Sequence, residues 1–342
     1  SVRYYAATSL LENASGGISD PDTAAALAAL KQMSAAHDLR QAPVQALMLV
    51  RIEKNNIAAA GPWVQQVAED DQNDEGLRYT AIGTLLALKN PEGPRILGGM
   101  IQNAKDALEQ IKLGLISLEF ADQLQPAAIA PLAQSHSALA KSIGTLARQA
   151  AGGNAAGGAV SITNGLVKLI QDGQPIVLDW SLAYSMRADQ DRRIAIWQAL
   201  INQATVVDDE RGRDYERAAL AAEKAADDGP EGRQLIALLL TSDKPAVVEA
   251  TLAGVYRSDL KDQSKLVMPI WPSLIKPPTS DTAANFAALI LAREGHKEAL
   301  AWLPNMVTGA TVQNLGFRAL AGWYYAKLKG NSDAFIHAVL GT

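Results

Sequence analysis

One phrase recurs along this chain. At Leu77-Arg78 an apolar residue and an arginine are followed by Ala81, Leu85 and Leu88, which stand 4, 8 and 11 places after the leucine. Val2-Arg3 leads in the same way to Ala6 and Leu10, Leu39-Arg40 to Leu47 and Val50, and Phe317-Arg318 to Ala321, Tyr325 and Leu328. Offsets of 4, 8 and 11 fall on one face of a 3.6-residue helix. The pattern predicts amphipathic helices repeated along the chain, each with an arginine near its start. Arg3, Arg40 and Arg78 lie 37 and 38 residues apart, and Lys112 follows 34 later. Val2–Asn13 is expected to pair with Thr23–Ala36, Leu39–Lys54 with Pro62–Glu69, and Gly76–Lys89 with Gly93–Lys105. A hairpin of that length cannot bury its own apolar face, so stacking on its neighbours must supply the core.

Punctuation between the helices agrees. Asp20-Pro21, Gly61-Pro62, Asn90-Pro91 and Gly229-Pro230 place proline where a helix begins and its missing N–H costs nothing. Ser242-Asp243 and Ser280-Asp281 read as N-caps. No alternating strand of useful length is present; Ile176-Val177-Leu178 is the best short candidate, and a helix start after Pro175 accounts for it better. Alanine dominates an apolar share of 48%, which lets helices approach closely.

These residues resemble HEAT-repeat proteins, especially the short bacterial type whose first helix carries an arginine followed by alanine and leucine positions. The likeness rests on Arg3/Ala6/Leu10, Arg40/Leu47, Arg78/Ala81/Leu85, Arg193/Ile196/Leu200 and Arg233/Ile236/Leu240. It implies an all-α solenoid of stacked antiparallel hairpins, about nine units at this period. It also implies that Arg3, Arg40, Arg78, Arg193 and Arg233 are stacking arginines paired with a nearby acid, with Asp38, Asp74 and Asp189 as candidates. Residues 295–300 and 322–330 are similar to the turn and first helix of tetratricopeptide units.

The pattern fails at 150–158, where four glycines in seven positions are expected to stop any helix. The division expected is therefore a HEAT-like array over 1–151, a Gly-rich irregular connection over 152–175 and a second helical-repeat array over 176–342. Residues 206–213 read as a charged loop. Four prolines between Met268 and Pro278 exclude a long helix there.

Composition limits the chemistry. With no cysteine there is no disulfide, thiolate metal site or cysteine nucleophile. A formal charge of −5 argues against general nucleic-acid binding, which needs a basic face to release counterions. No apolar run approaches the roughly 18 residues of a membrane span. The lack of cysteine and of an initiator Met leans toward a periplasmic or extracytoplasmic setting, and a helical pattern already under way at Ser1 predicts a preceding leader or repeat.

His37, His136, His296 and His337 stand too far apart for an i,i+4 ligand pair. The acidic run 69–75 lacks the spacing and central glycine of a calcium loop, so its carboxylates are expected to cap the following helix. The glycines of 152–158 precede no Gly-Lys-Ser/Thr and follow no strand, which removes phosphate-loop and dinucleotide readings. No catalytic residue, metal or cofactor is predicted. Of six tryptophans, Trp180 and Trp271 are least tied to a helix stripe and are the candidates for contact with a partner.

The function expected is non-enzymatic: a scaffold whose concave face holds a protein or peptide, with membership of a larger assembly as a candidate role. The alternatives are a carbohydrate-processing enzyme in a closed (α/α) toroid and a HEAT-like lyase or DNA-repair enzyme.

Overall fold

The computed structural model describes residues 6–7, 9–11, 20–33, 42–153, 157–204, 212–276 and 280–330. Every regular element among them is helical, and no strand is present among the described residues. The chain divides into two compact units, 1–162 and 163–342.

In the first unit the order is α1 (Pro21–Met33), α2 (Ala42–Lys54), α3 (Gly61–Glu69), α4 (Glu75–Ala87), α5 (Glu92–Asn103), α6 (Ala107–Glu119), α7 (Pro126–Ala133) and α8 (Ala138–Ala151). Helix α9 (Gly157–Gln171) begins in this unit and ends in the second. There it is followed by α10 (Pro175–Ser185), α11 (Gln190–Ile201), α12 (Gly212–Asp227), α13 (Pro230–Leu239) and α14 (Pro245–Arg257). Two single-turn helices, α15 (Ser264–Val267) and α16 (Trp271–Leu274), precede α17 (Asp281–Arg293), α18 (Leu303–Val307) and α19 (Leu315–Lys329).

Local chemistry explains most starts. Asp74, Asp106, Asp189, Ser280 and Asn314 are N-caps whose side-chain oxygens accept from amides two or three residues on. Pro62, Pro126, Pro175, Pro230 and Pro245 occupy first-turn positions. The expected cap at Ser242 is one turn early: the helix starts at Pro245, and the Ser242 hydroxyl instead accepts from the Lys244 amide at 3.2 Å. Within the stretch expected to be an irregular connection, α9 begins on Gly157 and runs 15 residues. The glycines end α8 at Gly152 and Gly153, the latter at φ +68°, and do not prevent a new helix once β-branched and leucine residues resume.

Packing follows chain order. In the first unit α4 packs on α2, α3 and α5, α5 on α7, and α6 and α7 on α8. Helix α3 therefore leans chiefly on α4, the element after it, rather than on α2 as the hairpin assignment expected. In the second unit α12, α14, α17 and α19 pack each on the next, while α11 and α13 lie beside them. Alanine and glycine make this approach possible. A Cβ added at Gly254 on α14 would stand 2.5 Å from both the carbonyl oxygen of Ala219 and the Cβ of Ala222 on α12. Six alanines of α12 (218, 219, 221, 222, 225 and 226) are at most 1% exposed, so the contact is backbone against backbone.

The buried face of α2 differs from the one its sequence pattern predicts. Leu47 and Val50 of α2 are half exposed, at 51% and 50%, and the buried stripe is Met48, Leu49 and Ile52. The period was correct, but a helix with apolar residues on two faces does not declare which one a neighbour covers.

Candidate functional site

The arginines come first, since the sequence singles them out. Asp74 accepts from the Leu77 amide at 3.1 Å, and Arg78, four residues after the cap, sends Nε back to the Ala68 carbonyl of α3 at 3.2 Å. Asp189 caps α11, and Arg193, again four residues on, reaches the Ala188 carbonyl. Asn314 caps α19, and Arg318 reaches the Val307 carbonyl at 3.1 Å. Asp106 caps α6, with Gln110 reaching the Ala104 carbonyl at 3.0 Å. The cap satisfies an orphan amide of the new helix; Arg78 and Arg318 also satisfy a carbonyl in the last turn of the old one, whereas Arg193 and Gln110 reach carbonyls of the connecting segment. Asp74 and Asp189 are thus helix caps, and neither is the ion-pair partner expected for its arginine.

The partner of Arg193 lies one period away. Its Nε and Nη2 grip Asp228 at 2.8 and 2.7 Å, 35 residues on, and its guanidinium lies over the Trp197 ring. Other links span the same interval: Lys112 to Glu75 (37 residues), Arg217 to Asp179 (38), Arg257 to Glu216 (41) and Arg293 to the Tyr256 carbonyl (37). The hydrogen bond from Lys112 and that from Tyr79 hold the Glu75 carboxyl below its ordinary range. Arg233 departs from the pattern: it is exposed and makes no ion pair among the described residues. Arg3 and Arg40 lie outside the described residues, as does Asp38.

The two candidate tryptophans separate. Trp271 is 5% exposed, within the core, and offers no face to a partner. A one-turn helix was enough to bury it, which the flanking prolines concealed. Trp180 is half-buried and stacks on Tyr184, with ring centroids 4.8 Å apart and planes within 7°. The Tyr184 hydroxyl in turn accepts from Arg192 at 2.6 Å. Trp63 and Trp197 are buried, and Trp302 donates Nε1 to Asn285 at 2.9 Å. The exposed indole is Trp323 on α19, at 49%.

Other acids are engaged structurally. Glu69 pairs with Arg95, Asp70 accepts from the Gln72 amide, and Asp227 accepts from the Asp259 amide at 3.0 Å. Residues 208–210 lie outside the described residues, as do His37 and His337. His136 is exposed, and His296 sits 3.9 Å from Glu298. Among the described residues no three His, Asp or Glu side chains converge as metal ligands, and no helix is long and apolar enough to cross a membrane. One carboxyl is buried without a cation: Glu249 on α14 accepts from the Ser280 hydroxyl at 2.5 Å, and burial raises its pKa.

Hollows open on these helices among the described residues. One of about 460 Å³ runs between α3, α4 and α5, where Arg78 and Arg95 face Glu69 and Glu109. A second, about 440 Å³, is apolar, lined by Leu240, Val248, Ile270 and Leu274 with Ser280 at its edge. The third, about 520 Å³, lies between α9 and α11 and is lined by Gln171, Gln198, Asn202, Gln203 and Lys244. Sequence reasoning missed this last group. The signal was present: Ala195 and Ala199, then Gln198 and Asn202, form two i,i+4 pairs on neighbouring lines of one helix.

The chain matches no protein-family model, no curated protein and no solved structure.

Proposed function

We propose that the protein is a non-enzymatic interaction protein, a HEAT-like α-solenoid whose concave face holds a protein or peptide partner. The observation that carries this reading is the interval of its polar links. Five ties join residues 35–41 apart, one repeat to the next, and the helices pack on near neighbours in chain order. Repeats joined only to their neighbours leave continuous faces open along the array, and such faces suit extended partners. Fold by itself does not specify function, so the reading depends on the partner being found. No observation among the described residues favours the glycan-processing toroid, the lyase or the repair enzyme.

The test is affinity purification of the full chain from its native source, with mass spectrometry and reconstitution from purified components. A stoichiometric protein partner that rebinds in isolation supports the reading. Recovery of a lone chain that turns over a glycan or modifies a nucleic acid overturns it.

A further inference from the structure

We infer that the groove between α9 and α11 binds an extended, acidic peptide segment by its main chain. This deepens the interaction reading above and rests on it. Gln171 comes from α9, Gln198 from α11, Asn202 from its C-cap, Gln203 from the turn that follows, and Lys244 from the turn before α14. None of the four carboxamides, nor the Lys244 ammonium, has a hydrogen-bond or ion-pair partner among the described residues. Val167, Ala195 and Ala199 complete the lining of a hollow of about 520 Å³.

The chemistry of these groups selects the occupant. A carboxamide presents one acceptor and two donors in a plane, which complements the N–H and C=O of a peptide unit. Spacing gives a second constraint. Residues i and i+4 of a helix are about 6 Å apart along its axis, at 1.5 Å per residue. An extended chain repeats its orientation every two residues, about 6.6 Å. Gln198 and Asn202 are therefore in step with successive same-facing peptide units of an extended strand. Lys244 adds one cation, which suits a single Asp or Glu side chain on that strand. A sugar would call for an aromatic platform, and none lines the groove. A nucleic acid would call for several cations and stacking rings, and the groove holds one ammonium.

The experiment uses the full chain and an array of capped synthetic decapeptides of randomised sequence, read by fluorescence and followed by anisotropy on the best binders. The expected result is selection of peptides carrying Asp or Glu. The double variant Gln198→Ala/Asn202→Ala then weakens binding about tenfold, the sum of two hydrogen bonds of ordinary net strength. Lys244→Glu abolishes the acidic preference. N-methylation of alternate peptide nitrogens, which removes main-chain donors and leaves side chains intact, weakens binding in one register and not in the other. Circular dichroism confirms that the variants, altered only at groove-lining side chains, remain folded. The proposal is overturned if the array selects no peptide, if selected peptides bind the double variant within twofold of the parent, or if N-methylation is without effect. Should a native partner bind the double variant unchanged, the interaction reading survives and only this groove's role is lost.

Discussion

Two glycine-to-alanine substitutions in the first unit should act with opposite sign. Gly144 on α8 faces the end of α7, and a Cβ there would lie 2.6 Å from the Leu132 carbonyl carbon and 2.7 Å from the Ala133 nitrogen. Carbon contacts sit at about 3.5–4.0 Å, so α8 must withdraw by about 1 Å, and a gap of that size forfeits up to half of each contact along it. Overpacking costs about 1–3 kcal/mol, and a clash against backbone, which cannot rotate away, belongs at the upper end. Alanine returns about 1 kcal/mol of helix propensity. The net cost of Gly144→Ala is therefore about 2 kcal/mol, a fall in Tm of about 4–8 °C for a unit of this size. Gly83 on α4 has nothing within 4 Å of a built Cβ. Gly83→Ala keeps the propensity gain and should stabilise by about 0.5–1 kcal/mol. Urea denaturation of the full chain, followed by far-ultraviolet circular dichroism, measures both midpoints. A Gly144→Ala midpoint at or above that of the parent refutes the close-approach argument.

Three further outcomes follow from burial and charge. Trp271→Ala should cost about 3–5 kcal/mol, as removal of a buried indole does, whereas Trp323→Ala, at 49% exposure, should change stability by about 0.5 kcal/mol or less; equal losses in denaturant midpoint would show the two indoles misplaced. Asp228→Ala should cost about 1–2 kcal/mol by stranding the bidentate Arg193, and Glu216→Ala, which frees the exposed Arg257, less than about 1 kcal/mol, a loss that disappears in 1 M salt. For Glu249, burial raises the folded pKa above the unfolded one, so its contribution is full at pH below the unfolded value and is lost as pH rises through the folded value. Glu249→Gln, which stays neutral, should gain stability relative to the parent between pH 4 and pH 8; a difference that is flat with pH would mean that the carboxyl is not desolvated.

Much of this architecture is legible in the residues. Proline and cap signals located α1, α3, α10, α13 and α17 within a residue or so, because capping is decided by a side chain and the amides next to it. The Arg78 and Arg193 positions were visible too, but their partners were not. A carboxylate four residues ahead of an arginine looks like its ion-pair mate, and only the folded geometry shows the oxygen occupied by an amide, with Arg78 turned back to the previous helix and Arg193 turned to Asp228. Tertiary placement decided the rest. Trp271 stands in a proline-broken stretch and is covered, whereas Trp323 stands in a long regular helix and is half exposed, the reverse of what their local sequences suggest. The polar side chains of the α9–α11 groove come from three chain segments, so no local pattern joins Gln171 and Lys244 to Gln198.

The central claim is that each helix is held by its neighbours in chain order, so a local injury should spread by proximity within its unit. Hydrogen exchange on the full chain, with and without Gly144→Ala, measures this directly. Amides of α6, α7 and α8 should exchange fastest relative to the parent, those of α4 and α5 less so, and those of α2 least. Equal acceleration from α2 through α8 would mean that distant segments share one cooperative core, which contradicts the account.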